Sequence, residues 1–336
     1  MYRLLGRTST ALLVLVLASS SALAQYANTN LDSDLAGKAK HQDKNLKNAW
    51  GLAYAPGGDF WVSDEYTGLS TLYDSKGDVQ SLVVTIPTYS GTGIGTPTGL
   101  VYNGSSEFTI DSWVSAFLFC TLDGTISGWS DFEPNNALIG AKNEGAVYTG
   151  LAITSKTTGN SLFAADNANN KVDIYDGTFT LTGSFTDTTI PKGFSVFGIQ
   201  DIAGTLYVSF ASTSGASGGY IDTFTEEGVF VKRFAHGSPL NQPWGFAVAP
   251  ANFGTLSGAL LISNNATNGT IVGYNITTGK LMGTMETSAG KNLIIAGIWA
   301  IEFGGGSSAN GQKDQLFYTA GPNDTDGYFG VINVVK

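Results

Sequence analysis

Acidic and amide side chains recur at one position of the sequence, directly after short apolar segments. Asp64, Asp166 and Asn264 each end such a segment. Carboxylate and amide oxygens are the ligands that Ca²⁺ prefers in proteins. The three residues are therefore candidate calcium ligands, provided that their oxygens converge on one point. The alternative is that each side chain starts a turn by bonding its own backbone.

Two further polar side chains occupy positions that are small or aliphatic elsewhere in the chain. Gln200 and Glu302 align with Ala53, Ala152 and Ala247. A buried carboxylate is costly unless it is solvated or paired. Glu302 is therefore a candidate ligand-binding residue or a general base with a raised pKa. The alternative is a carboxyl group that lies in a water-filled channel and has no function.

Three tryptophans, Trp50, Trp244 and Trp299, each precede a small residue at the start of an apolar segment. Indole rings at the mouth of a channel would stack on a sugar or an aromatic ligand. The alternative, which repeat architectures favour, is that each indole packs between neighbouring structural units. Together with Gln200 and Glu302, the tryptophans form the predicted ligand site.

Composition argues against several kinds of site. The 336 residues carry a formal net charge of −10 and include two histidines and one cysteine. A His-rich metal centre or a His-based triad is hard to build from His41 and His236 alone. Cys120 lies in an apolar run, which is typical of a buried and inert thiol. An acidic chain without a Lys/Arg cluster has no electrostatic basis for binding nucleic acid or an anionic membrane.

The elements that must position these residues form six repeats. Each repeat begins with an apolar strand around a small residue, and a second and a third strand follow. A glycine-bearing turn often leads into a fourth strand. The small residues are Gly51, Gly99, Gly150, Gly198, Gly245 and Ala300. Four strands in about 50 residues are typical of a propeller blade, so we predict an all-β, six-bladed β-propeller.

The chain ends at Lys336, after the third strand of the sixth repeat. We predict that an N-terminal strand, Tyr26–Asp32, supplies the missing fourth strand of this last blade. Such pairing would close the ring and remove two exposed sheet edges. A β-sandwich is the alternative architecture, but it does not explain a sixfold repeat.

The first 24 residues predict a secretory signal peptide. Arg3 and Arg7 precede the apolar run 11–18, and Ala22-Leu23-Ala24 forms a cleavage site. The apolar run is too short to span a bilayer as a helix. We therefore expect residues 25–336 to form one domain, which is secreted or periplasmic and does not associate with a membrane after cleavage.

Five segments of the sequence form a specific set: Asn48–Ala53, Asp123–Trp129, Gly198–Ile202, Pro239–Gly245 and Tyr318–Asp324. Together they resemble an uncharacterised family of exported bacterial six-bladed β-propellers, some of which carry a PEP-CTERM sorting tail. Residues 331–336 contain no Pro-Glu-Pro motif, so surface sorting is not implied here. The segment 165–172 looks like an NHL-type repeat, and NHL-like propellers include protein-binding modules, lyases and lactonases. The closer family brings no established activity, so no catalytic residue is carried over.

Two functional hypotheses follow. The first is a monomeric, non-catalytic binding module without a cofactor, whose partner is an extracytoplasmic protein, a glycan or a small molecule. The second is a Ca²⁺-dependent hydrolase or lyase of the lactonase-like type, with Asp64, Asp166, Asn264 or Glu302 around the ion. Convergence of those oxygens would favour the second hypothesis. In either case the site is expected on the face where the first strands of the blades begin.

Overall fold

The computed structural model describes residues 25–335, and the predicted signal peptide lies outside them. Within this range the strands form five four-stranded sheets, one five-stranded sheet and a small two-stranded hairpin. The six large sheets are the blades of a β-propeller, so the predicted fold is confirmed. Two short 3₁₀ turns, Gly254–Leu256 and Pro322–Asp324, lie in loops between strands. In these residues no helix is both long and apolar enough to cross a membrane.

The strands follow one order in every blade. Blade 1 contains β3 (Ala49–Tyr54), β4 (Phe60–Asp64), β5 (Leu69–Tyr73) and β6 (Val79–Thr85). Blade 2 contains β7 (Pro97–Tyr102), β10 (Phe117–Thr121), β11 (Thr125–Trp129) and β12 (Leu138–Lys142), with the inserted hairpin β8 (Thr109–Ile110) and β9 (Trp113–Val114). Blade 3 contains β13 (Tyr148–Ile153), β14 (Ser161–Asp166), β15 (Lys171–Asp176) and β16 (Leu181–Phe185). Blade 4 contains β17 (Phe194–Ile202), β18 (Thr205–Ser212), β19 (Tyr220–Thr225) and β20 (Phe230–His236). Blade 5 contains β21 (Pro243–Val248), β22 (Ala259–Asn264), β23 (Thr270–Asn275) and β24 (Leu281–Thr284). Blade 6 contains β25 (Ile298–Phe303), β26 (Leu316–Ala320), β27 (Tyr328–Val335), β1 (Gln25–Ser33) and β2 (His41–Gln42).

The small residue of each repeat lies where neighbouring first strands approach most closely. The first strands contact one another around the ring in the order β3, β7, β13, β17, β21, β25 and back to β3. A Cβ atom on Gly51 would lie 2.5 Å from the carbonyl oxygen of Thr98, and one on Gly245 would lie 2.6 Å from that of Trp299. The sequence repeat is therefore the repeat of close backbone contacts between blades.

Side-chain hydroxyls also bind the backbone of the next blade. Four such bonds, from donor to acceptor carbonyl, are Thr98 to Tyr148 (2.7 Å), Thr149 to Phe197 (2.7 Å), Ser263 to Trp299 (2.5 Å) and Thr319 to Trp50 (2.5 Å). Each satisfies a buried donor that would otherwise be costly to desolvate. Four of the six pairs of neighbouring blades are thus joined near the axis although no sheet ladder connects them.

The N-terminal strand closes the ring as predicted. β1 pairs antiparallel with β27, from Gln25 opposite Val335 to Ser33 opposite Tyr328. Tyr26 and Leu31 are buried at this seam. The Tyr26 hydroxyl donates to the carbonyl oxygen of Phe253 at 2.9 Å, which also ties the strand to blade 5.

The closing strand carries a buried acid. Neither carboxyl oxygen of Asp32 has a hydrogen-bond partner within the described residues. Burial, together with the negative charges of Asp43, Asp78 and Asp74, raises the pKa of Asp32 to about 7. The unfolded chain releases this proton near pH 4. The folded state therefore binds the proton more tightly, and the stability it contributes is lost as the pH rises from about 4 to 7.

Asp32→Asn is expected to raise the thermal midpoint at pH 8 and to change it much less at pH 5. The reason is that asparagine cannot ionise, whereas the buried aspartate must ionise at the higher pH. Calorimetry between pH 5 and 8 measures the difference. Asp131→Asn, at an exposed carboxyl of blade 2, is the control and should show no such trend. A gain that is independent of pH would contradict a neutral buried Asp32.

Candidate functional site

Three tryptophans meet on the axis of the ring. Trp50 and Trp299 stack with ring centroids 3.5 Å apart and planes inclined by 19°. Trp244 packs edge-on against both, at centroid distances of 6.1 and 5.6 Å. Phe197 lies against Trp50 and Trp299. We call these four side chains the aromatic plug, because they fill the channel at the end where the first strands begin.

The plug is held across the ring. The Trp244 indole N–H donates to the carbonyl oxygen of Thr149 in blade 3 at 2.8 Å. The Trp299 indole N–H donates to Asn48 Oδ1 at 3.3 Å. All three indoles are less than 10% exposed. Trp299 thus packs against the indoles of both neighbouring blades, as the packing alternative expected, and Trp50 also contacts Trp244 of a non-adjacent blade. The predicted stacking of indole faces on a ligand stays a prediction.

Beyond the plug, the channel continues as a cavity that opens on the opposite face. A narrow space of about 40 Å³ beside Trp244 leads into a wider one of about 410 Å³, and Gln200 and Glu302 line both. The wider space, here called the axial cavity, has Tyr54 and Asp201 among its lining residues. The opening lies where the first strands end. The site was expected at the other end, where the first strands begin and where the aromatic side chains fill the channel.

Gln200 and Glu302 reach the axial cavity from blades 4 and 6. Glu302 makes no ion pair or side-chain hydrogen bond with residues 25–335, and burial without a counter-charge raises its pKa to about 7. Burial and the nearby Glu302 also raise the pKa of Tyr54 to about 12. A carboxyl group in this state can accept or donate a proton near neutral pH.

The remaining polar groups of the cavity were not predicted. Tyr54 and Tyr102 occupy the same position of the first two repeats, and Ser155 and Asp201 lie near the opening. The Tyr54 hydroxyl donates to the carbonyl oxygen of Phe303 at 2.9 Å. Burial raises the pKa of Asp201, and its carboxylate accepts the N–H of Gly204 at 2.9 Å. The repeated tyrosine was the only sequence signal for these groups.

The three predicted calcium ligands lie in blades 1, 3 and 5 and are buried. Each accepts hydrogen bonds from its own surroundings: Asp64 from Thr71 Oγ1 (2.8 Å), Asp166 from Val147 N (3.1 Å) and Asn169 Nδ2 (2.7 Å), and Asn264 from Asn241 N (2.9 Å). In residues 25–335 no three His, Cys, Asp or Glu side chains are arranged to hold a metal ion. Asp64 and Asp166 therefore belong to no such group. An oxygen of each of the three residues accepts a bond locally, and only Asp166 bonds the turn that follows it, through Asn169.

Asp166→Ala is expected to lower the free energy of unfolding by about 1–3 kcal/mol, because three donors lose their acceptor. The loss should be equal in EDTA and in millimolar Ca²⁺. Urea unfolding under both conditions measures it. Asp166→Asn keeps one acceptor oxygen and should therefore lower the free energy of unfolding by less. If Ca²⁺ stabilised the wild type but not the alanine variant, Asp166 would be a metal ligand after all.

Sequence relatives give no function. No family model matches this chain. An uncharacterised protein, R640, of Acanthamoeba polyphaga mimivirus is 31% identical over 237 residues, which are 65% of this chain and 43% of that protein. A second, R648, is 28% identical over 330 residues, covering 90% of this chain and 78% of its own length. The chain thus spans less than half the length of the first relative and most of the second.

Solved structures share the architecture. A gluconolactonase from Xanthomonas campestris has a TM-score of 0.54 and 15% identity, over 87% of this chain and 88% of its own. Virginiamycin B lyase from Staphylococcus aureus has a TM-score of 0.55 and 13% identity, over 93% and 100%. This chain has their fold. A PQQ-bound aldose sugar dehydrogenase from Streptomyces coelicolor has a TM-score of 0.53 and 14% identity, over 92% and 99%. At such identities the likeness establishes the fold alone.

Proposed function

We propose that this protein is a non-catalytic binding module that holds a small polar molecule in the axial cavity. The main support for this proposal is a cavity of about 410 Å³ that the plug closes at one end. Gln200 and Glu302 present unpaired polar groups to this cavity. Small-molecule sites are typically concave and mostly apolar, with a few placed polar groups. Leu52, Leu100 and Ile153 supply the apolar walls here.

Closing the opening should abolish binding. Ser155 is exposed and lines the cavity, so Ser155→Trp would block entry without changing the core. We would screen residues 25–336 by thermal shift against small amines, alcohols, amides and sugars. A probe at 100 times its Kd should stabilise the wild type by about 2.7 kcal/mol. Ser155→Ala should keep that response and Ser155→Trp should lose it. Equal responses of both variants would place binding elsewhere.

A second candidate is general acid–base catalysis in the same cavity. It is favoured by Glu302, whose pKa of about 7 suits proton transfer near neutral pH. A calcium-dependent, lactonase-like version would need an ion that the described residues are not arranged to hold. Hydrolysis of a lactone panel that is lost in Glu302→Gln would favour catalysis. Ligand binding without turnover would favour the binding module.

We also propose export, as in the exported bacterial propellers that the motifs resemble, and action as a monomer outside the cytoplasm. Cleavage after Ala24 would leave Gln25 as the first residue. The next residue, Tyr26, is buried, so cleavage further along would remove part of the core. Mass spectrometry of the exported protein should find Gln25 at its N-terminus. A mature chain that retains the first 24 residues would contradict this proposal.

A further inference from the structure

We infer that the axial cavity binds the ammonium group of a small organic amine, with the Glu302 carboxylate as its counter-ion. This inference rests on the proposed binding function and names the class of ligand.

In two other blades, buried acids are neutralised by the chain's own cations. In blade 3, Lys171 Nζ lies 2.6 Å from the carboxylate of Asp173. In blade 4, the Arg233 guanidinium lies 2.6 Å from the carboxylates of both Asp222 and Asp187. Glu302 has no Lys, Arg or His partner within 4.0 Å in the described chain. The missing positive charge is the one that a cationic ligand would bring.

The charge of the cavity also selects the ligand. The titratable residues among those that line it are Tyr54, Tyr102, Asp201 and Glu302, with no lysine, arginine or histidine. Lys156, near Asp201, pairs with Glu226. An anionic ligand would meet two carboxyl groups without a compensating cation. Negative charge therefore favours a cation, and the whole chain, at −10, favours its approach.

An amine fits these groups better than a metal ion does. Ca²⁺ requires six to eight oxygen ligands, and the cavity offers one unpaired carboxylate and one unpaired amide oxygen. An ammonium group has three donors, which Glu302 and Gln200 can accept. The rings of Tyr54 and Tyr102 and the aliphatic walls would pack on the organic part of the ligand. The plug limits the ligand to a short molecule that enters from one face.

Binding of an amine should strengthen as the pH rises. In the empty cavity Glu302 keeps its proton up to about pH 7, so pairing at lower pH requires that this proton be released. Affinity should therefore rise by up to about tenfold per pH unit between pH 5 and 7 and level off above. A neutral analogue should show no such dependence.

The test compares butylamine and benzylamine with butanol and benzyl alcohol, using calorimetry on residues 25–336 at pH 6 and pH 8. We expect each amine to bind at least tenfold more tightly than its alcohol at pH 8, with a smaller preference at pH 6. Glu302→Gln should remove the preference and keep alcohol binding. Glu286→Gln, at an exposed carboxyl, should keep the preference. The pH dependence of the wild type tests the inference even if Glu302→Gln does not fold.

Failure of the amine inference and failure of the proposed binding function would give different results. Equal binding of amines and alcohols that Ser155→Trp blocks would overturn the amine inference and leave the binding function intact. A preference for amines that persists in Glu302→Gln would also overturn it. If neither these probes nor the wider panel stabilised the wild type, both proposals would fail.

Discussion

Trp299→Ala is expected to lower the free energy of unfolding by about 3–5 kcal/mol, the usual cost of removing a buried aromatic side chain. The Trp299 indole is 3% exposed and stacks on Trp50 at a centroid distance of 3.5 Å. Its removal leaves a cavity on the axis, where side chains of several blades meet and none can fill the space alone. Denaturant unfolding with a fixed m-value measures the loss.

Trp113→Ala is the matched control for the plug. Trp113 also stacks on an aromatic ring, that of Phe132, at 5.0 Å. It is 49% exposed, however, so its loss should cost less than about 1 kcal/mol. Similar costs at both positions would mean that the plug does not contribute to the core.

Gly198→Ala is expected to cost about 3 kcal/mol, at the upper end of the usual cost of overpacking. A Cβ atom at this position would overlap the carbonyl oxygen of Trp244 in the first strand of the next blade. That oxygen belongs to the backbone, so no rotamer change can relieve the contact. Two first strands would have to move apart and loosen the ring at the axis. Thermal or urea unfolding measures the effect.

Alanine substitutions at two other glycines test whether the cost follows the distance from the added Cβ to its nearest neighbour. At Gly150, the nearest atom to an added Cβ would be 3.2 Å away, so Gly150→Ala should cost less, about 1 kcal/mol. At Gly183, on the rim strand of blade 3, no atom lies within 4 Å. Gly183→Ala should be neutral or stabilise by about 0.5 kcal/mol. A ranking that does not follow these distances would contradict close packing as the origin of the repeat.

The fold was predictable because its causes recur locally. A small residue is needed wherever two first strands touch, so the contacts appear in the sequence as a repeat from Gly51 to Ala300. The unpaired third strand of the last repeat predicted closure by the N-terminal segment, and β1 supplies it. Gln200 and Glu302 were found because they interrupt an apolar pattern, and both do line the axial cavity.

What the sequence alone determined is thus the number of blades, the closing strand and the two polar side chains of the inner strands. Only the tertiary structure decided which end of the channel is open, and whether Asp64, Asp166 and Asn264 meet. Both depend on distances across the ring, between residues of non-adjacent blades such as Trp244 and Thr149. Spacing along the chain specifies the place of a residue within its own blade. The width of the channel, and so the direction in which an indole can pack, follows only when all six blades are assembled.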